Sequence, residues 1–301
     1  MTLPTATLGR TGVTVSKLGY GAMELRSRHL DLPAVDHLLG VVLDAGITII
    51  DTAPDYGASE EHIGRAIAHR RDEYFLATKC GCPVGETAGE SGPVVREHVF
   101  TRDNVRAAVE QSLTRMRTDR LDLVQFHASP SPATLAEEDA VAELLAQRDA
   151  GKVRFIGISG VLPHLRGQIA MDVFDAFQIP YSAVERDHEE VISTAARAGG
   201  GIIIRGGVGR GLPDPPADLA PQFQETLRAR KRRFEQTDIA DLLGDMTPME
   251  FLLRFTISHP DLHTTIVGTK DPEHLAANVA AASRGPLPPD VYAAARARYP
   301  H

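Results

Sequence analysis

A chain of 301 residues, 43% hydrophobic and 24% charged, has an ordinary globular composition, and its length suits one (β/α)8 barrel domain over residues 1–301. A formal charge of −8 argues against nucleic acid or an anionic membrane as a main partner, but leaves room for a local basic pocket that takes a phosphate. Two cysteines, Cys80 and Cys82, make no disulfide framework, and with no further ligands at suitable spacing no metal site is expected. The N-terminal stretch lacks a basic-then-apolar leader, and no apolar run approaches the roughly 20 residues of a membrane span, so a soluble, cytoplasmic protein is expected.

In chain order, residues 1–15 read as a small β-hairpin, with Ala6-Thr7-Leu8 and Val13-Thr14-Val15 on either side of a Gly9–Gly12 turn. A first strand at Lys17–Met23 ends in Gly21-Ala22-Met23. Asp31–Ala45 carries Val35, Leu38, Leu39, Val42 and Leu43 at helical spacing, and Gly46 stops it. Thr48–Thr52 is a second strand. Ser59 then caps a helix, with Glu60 and Glu61 in its first turn, where acids favour the dipole. Tyr74–Lys79 is a third strand, Thr101 starts a helix, and Leu121–His127 is a fourth strand. One longer helix over Ala133–Ala150 leads to strands at Val153–Ser159, Phe174–Tyr181 and Ile202–Arg205. The stretch 206–246, rich in Gly, Pro and charge, reads as a long loop with some helix after strand seven. Its run Arg228–Arg233 is read as a solvated helix. Thr247–Ser258 is helical, Thr264–Gly268 is strand eight, and Pro272–Ala282 is the last helix.

Eight short apolar strands alternating with helices mean βαβ units and a parallel sheet, here an α/β barrel of the TIM type. An open doubly wound sheet would announce a dinucleotide site by G-x-G-x-x-G after its first strand. Gly19-Tyr20-Gly21-Ala22-Met23-Glu24 lacks the third glycine, and Gly206–Gly211 comes too late in the chain.

A parallel barrel opens all its strand C-termini on one face, where Asp51, Tyr56, Lys79, His127, Ser159 and Gln178 become neighbours. Lys79 and His127 each follow an apolar run, so they enter a desolvated mouth. An isolated phenol, with a pKa of about 10, is a poor acid at neutral pH. A nearby ammonium favours phenolate, and a carboxylate keeps that ammonium charged when buried. A neutral imidazole can hold and polarise a carbonyl oxygen. The set can protonate an oxygen while a bound nicotinamide delivers hydride to carbon. A Schiff base on Lys79, as in an aldolase-type barrel, remains open on these residues alone.

Asp51–Glu60, Thr78-Lys79, Leu121–His127, Gly157-Ile158-Ser159 and the opening Leu8–Gly19 together resemble the aldo-keto reductase superfamily, with likeness running from about Leu8 to Ala281. The resemblance implies Asp51, Tyr56, Lys79 and His127 as a catalytic tetrad, with Tyr56 the general acid in reduction and the base in oxidation. It implies an extended NAD(P)H across the barrel top and a small-molecule carbonyl substrate. Carried over by position, Gly21, Ala22 and Met23 would border nicotinamide and pyrophosphate. Ser159 and Gln178 would hold the carboxamide. Arg205, Gly206, Gly207 and Gly211 lie in the segment that would cross the pyrophosphate. Gly268, Thr269, Lys270, His274 and Asn278 would hold the adenosine end.

The sequence departs from the family pattern at three of these places. Gly160 stands where an Asn is common, Arg205 where an aromatic ring often stacks, and His274 where an Arg is common. Lys270 remains as a cation for a 2′-phosphate, so NADPH is expected over NADH. A reductase is expected, and the alternative is an NADPH-binding regulatory barrel with little turnover. The sequence carries no signal of oligomeric state, and loops 82–99 and 206–246 leave the natural substrate open.

Overall fold

Period-two alternation of side chains closes eight parallel strands into a barrel in the computed structural model, which describes residues 2–84, 97–209, 221–237 and 239–298. A hairpin of β1 (Thr5–Thr7) and β2 (Thr14–Ser16) comes first. The barrel strands are β3 (Leu18–Gly21), β4 (Ile49–Asp51), β5 (Phe75–Cys80), β6 (Leu121–Phe126), β7 (Val153–Ser159), β8 (Ala176–Pro180), β9 (Gly201–Arg205) and β10 (Thr264–Val267). They stand in chain order around the ring, and β10 pairs with both β9 and β3 to close it. Around them run α1 (Leu32–Asp44), α2 (Ser59–Ile67), α3 (Arg102–Arg115), α4 (Pro132–Glu137), α5 (Ala140–Asp149) and α6 (His164–Ala170). α7 (Glu189–Arg197), α8 (Pro221–Gln236), α9 (Pro248–Ile257), α10 (Pro272–Ser283) and α11 (Pro289–Arg298) complete the set.

Alternation sorts the strand residues into two layers. Ile50, Leu76, Val124, Ile156 and Phe177 belong to the core shared with the helices. Ile49, Phe75, Ala77, Leu123, Ala176 and Ile203 form a separate inner cluster. Leu8 and Val15 of the hairpin join that inner cluster, so the hairpin plugs the N-terminal end of the barrel with carbon. The plug is held close. Arg10 donates its backbone N–H to Gly199 at 2.7 Å. Gly9 has φ +48°, and a Cβ there would lie 2.4 Å from the Gly201 nitrogen, which only glycine avoids. Two residues further along the same strands, on the same inward face, stand Asp51, Lys79, Gln125 and Gln178.

Several elements differ from the sequence reading. The first barrel strand ends at Gly21, and Ala22–Leu25 is a 3-10 turn. The helix read over Ala133–Ala150 is two, broken where Asp139 takes φ 52°. Ser59 is not a cap. Ala58 occupies that position, and the Ser59 hydroxyl donates to the Ala22 carbonyl at 2.9 Å and bonds the Thr52 hydroxyl at 2.9 Å. Glu60 is fully buried rather than solvated at a helix start, accepting from Thr78 at 2.8 Å and Ser112 at 2.7 Å. The charge run 228–233 does lie on a helix, α8, where Arg230 reaches Glu185 at 3.0 Å. α11 follows the helix read as last; of its residues Ala295 is buried, so little apolar periodicity announces it. Among the described residues no helix is long and apolar enough to cross a membrane.

One buried carboxylate joins α3 to α5. Glu143 accepts from Arg106 at 2.8 Å, from Gln147 at 2.7 Å and from Arg102 at 3.0 Å. These bonds, Arg106 foremost, lower its pKa from 4.5 to about 2. A carboxyl with a depressed folded pKa stabilises fully above its unfolded pKa, and that stability is lost as pH falls through the folded value. The two arginines are half exposed, which screens the pairs, so Glu143→Gln is expected to cost about 1–2 kcal/mol at neutral pH. Urea unfolding should show that gap closing as pH drops below 4.5 toward 2; a gap independent of pH would assign the loss to packing.

Candidate functional site

β4 ends on Asp51 and β5 carries Lys79, both pointing into the barrel beyond the apolar plug. Lys79 Nζ donates to Asp51 Oδ2 at 2.7 Å and to the Thr52 carbonyl at 2.8 Å, and its side chain is 0% exposed. Asp51 Oδ1 accepts from Gln178 Nε2 at 2.7 Å and from Gln125 Nε2 at 3.1 Å. Ser159 in turn donates to Gln178 Oε1 at 3.1 Å. Burial pulls the Lys79 pKa down, but Asp51 and Tyr56 pull it up more strongly, and the net lies above its ordinary value. An amine held as ammonium has no lone pair for carbonyl attack, which weighs against a Schiff base.

Tyr56 sits in the loop after β4, with Lys79 Nζ 4.9 Å from its ring centroid. The sequence reading has the ammonium lowering the phenol pKa. Burial outweighs it, with Lys79 and Arg205 pulling down and Asp51 pulling up, and the net shift is upward. Tyr56 is therefore a neutral phenol backed by a cation. His127 follows β6 directly, and its backbone N–H donates to the Cys80 carbonyl at 3.0 Å. Its ring stands edge-on to Tyr56, with centroids 6.1 Å apart. Burial, then Lys79 and His98, push its pKa well below the usual value, so the imidazole is neutral.

A cavity of about 250 Å³ opens over these groups, lined by Tyr56, His127, Ser129, Ser159, Gln178 and Arg205 among others. A hydroxyl, an amide and a guanidinium on one wall form a donor set that fits a carboxamide and a nearby anion. The remaining cofactor candidates lie round the rim. Gly21 pairs in register with Asp51, and a Cβ on Gly268 would meet the Gly21 carbonyl at 2.5 Å, so β3 and β10 meet through glycine. Ala22 is buried in the 3-10 turn and Met23 is half-buried. Gly206 has φ +71°, and a Cβ there would lie 3.8 Å from the Arg230 guanidinium, whereas Gly207 is buried, its carbonyl accepting from Thr256 at 2.7 Å. Gly211 lies outside the described residues. The Thr269 carbonyl accepts from Tyr20 at 2.7 Å, Lys270 and His274 are exposed, and Asn278 is buried on α10. These candidates belong to β7, β8, β9, β10 and β3 and their loops, five neighbouring strands. Asp51, Tyr56, Lys79 and His127 belong to β4, β5 and β6, which complete the ring.

Sequence reasoning missed four residues here. Gln125 carries a signal, an amide inside the otherwise apolar end of β6, and its Oε1 is buried with no hydrogen-bond partner. Asp55, Cys82 and His98 gather on the far side of His127. Cys82 Sγ lies 3.3 Å and His98 Nε2 3.2 Å from His127 Nδ1, and Asp55 Oδ2 is 3.2 Å from His98 Nε2. Four groups able to bind a metal converge here, from segments whose spacing in sequence gives no hint of it.

Comparisons with known proteins bear on the same chain. Residues 17–299 match the profile of the Aldo/keto reductase family. An uncharacterized oxidoreductase of Bacillus subtilis, YqkF, is 27% identical over 92% of this chain and 90% of its own length. The aldo-keto reductase str7 of Strobilurus tenacellus is 30% identical over 94% of this chain and 88% of its own. Among solved structures, the holo form of aldo-keto reductase AKR11C1 from Bacillus halodurans superposes with a TM-score of 0.80, covering 99% of this chain and 97% of that one at 24% identity, a likeness of fold.

The ion pair at the centre of the site makes its own prediction. Asp51→Ala strands a buried ammonium and is expected to cost about 3–5 kcal/mol, whereas an Asp51→Leu and Lys79→Met double variant recovers most of that. Denaturant unfolding of both variants checks it; equal losses would mean that packing, not the lone charge, sets the cost.

Proposed function

The chain belongs to the aldo/keto reductase family, and from that premise we propose that it reduces an aldehyde or ketone to an alcohol with a nicotinamide cofactor, preferentially NADPH. The reading takes residues 1–301 as one barrel domain. The observation that carries it is a neutral phenol, Tyr56, set over the buried Lys79–Asp51 pair and facing one cavity together with a neutral His127.

When bound, the cofactor supplies a hydride to the carbonyl carbon. Every other task falls to the chain. His127 donates a hydrogen bond to the carbonyl oxygen and orients it. Tyr56 gives its phenolic proton to that oxygen as the C=O bond becomes C–O–H, and Lys79 stabilises the phenolate left behind. Asp51 keeps Lys79 charged throughout, held by the amides of Gln125 and Gln178. In oxidation the same proton returns to Tyr56. Ser159 and Gln178 would hold the carboxamide, Gln178 through the acceptor capacity left on its Oε1. Arg205 would hold the pyrophosphate side of the nicotinamide, together with backbone at Gly21, Ala22, Met23, Gly206 and Gly207, and Gly211 is proposed with them from the sequence alone. Gly268, Thr269, His274 and Asn278 would take the adenosine end, with Lys270 supplying a cation for the 2′-phosphate.

Tyr56→Phe is expected to lower reduction of a test aldehyde by about 10²–10⁴-fold while NADPH binding, read by fluorescence titration, is kept. Near-normal turnover in that variant would remove Tyr56 as the acid. Lys270→Met is expected to raise the KM for NADPH about tenfold and leave that for NADH unchanged, since one charge-assisted bond is worth about 1.5–3 kcal/mol. Equal effects on both cofactors would place the 2′-phosphate elsewhere.

A further inference from the structure

Four side chains from separate segments, His127 among them, bring one possible ligand atom each close together. Cys82 Sγ and His98 Nε2 lie 3.3 Å and 3.2 Å from His127 Nδ1, and Asp55 Oδ2 lies 3.8 Å from it and 3.2 Å from His98 Nε2. All four atoms fall within 4.8 Å of one another. An imidazole nitrogen offers one in-plane site, either a proton or a lone pair. His127 Nδ1 nonetheless faces both Cys82 and His98, and His98 Nε2 faces both His127 and Asp55. Hydrogen bonds can use only part of this convergence, whereas a cation at its centre uses all of it. Nitrogen, oxygen and sulfur ligands around a tetrahedral zinc ion lie about 3.3–3.6 Å from one another, given metal–ligand distances of about 2.0–2.3 Å. Four of the six separations, between 3.2 and 3.8 Å, bracket that range, and the other two stay within 4.8 Å.

We propose that Asp55, Cys82, His98 and His127 bind one divalent transition-metal ion of the zinc class in a closed tetrahedral site beside the cavity. Thiolate and imidazole ligands select zinc over magnesium or calcium, and one thiolate with one carboxylate balances the dipositive charge. Four protein ligands leave no open position, so the ion is structural and does not act on substrate as a Lewis acid. Asp55 follows β4, Cys82 follows β5 and His127 follows β6, so the ion ties the ends of these three neighbouring strands to the segment holding His98. Binding at Nδ1 also fixes the tautomer of His127, leaving its proton on Nε2. The inference stands on ligand geometry and does not depend on the carbonyl-reductase reading.

The test is to strip the full chain with a chelator and titrate it with Co²⁺. One equivalent is expected to bind, with the strong visible absorption of tetrahedral Co²⁺ and a near-ultraviolet thiolate-to-cobalt charge-transfer band, both abolished by added Zn²⁺. Cys82→Ser should remove the charge-transfer band. His98→Gln should weaken Co²⁺ binding by at least the roughly tenfold that even an outer-shell partner costs. Cys80→Ser, which alters a thiol in the core shared with the helices, should change neither. A weak, octahedral-type Co²⁺ spectrum in the wild-type chain, or a charge-transfer band that survives Cys82→Ser, would overturn the proposal. The wild-type titration needs no variant to fold, and circular dichroism checks each variant. NADPH titration of the stripped chain reads the reductase proposal separately, so the two can fail independently.

Discussion

A buried ammonium cannot stand alone, and much of this barrel's upper half follows from that. Lys79 lies at the centre of the ring with its side chain fully enclosed, a position tolerable only because Asp51 meets it at 2.7 Å. The carboxylate then needs donors for its other oxygen, and the amides of Gln125 and Gln178 supply them. Those four residues come from β4, β5, β6 and β8, so one ion pair fixes the inward-facing residue on half the strands. A slip of one residue in any of them would turn the polar group outward into the helix layer. The pair thus specifies register as well as charge.

Much of this was legible in the sequence because the signals are local. Asp51, Lys79 and His127 each close an apolar run, which marks both a strand and its end. Eight such runs separated by helical stretches allow few architectures, and the barrel follows. What was hidden depended on contacts between segments distant in sequence. Gln125 reads as one polar residue in a strand until Asp51 is seen opposite. His98 belongs to a loop of open shape, and Cys82 alone has the look of any reduced thiol; neither acquires meaning until His127 stands beside it. The split of α4 from α5 at Asp139 turns on one positive φ that an aspartate adopts without announcing it. Ser59 has the composition of a cap, but the 3-10 turn at Ala22–Leu25 offers its hydroxyl another acceptor.

The ring divides unevenly. Three neighbouring strands carry the groups able to move a proton, and the other five carry the glycines, hydroxyls and cations of the rim. The two arcs touch at β3–β4, where Gly21 lies beside Asp51, and at β6–β7. Gln178 on the second arc braces Asp51, but the loops of that arc lie outside the ion pair and can vary in length without disturbing it. The departures at Gly160, Arg205 and His274 all fall on that second arc.

The hairpin plug has a kinetic meaning. With Leu8 and Val15 in the apolar cluster that fills the lower end, the cavity opens above it, toward the strand C-termini. A molecule bound above the apolar plug cannot leave through it, so the hairpin at the foot of the barrel confines exchange with solvent to the strand C-terminal end.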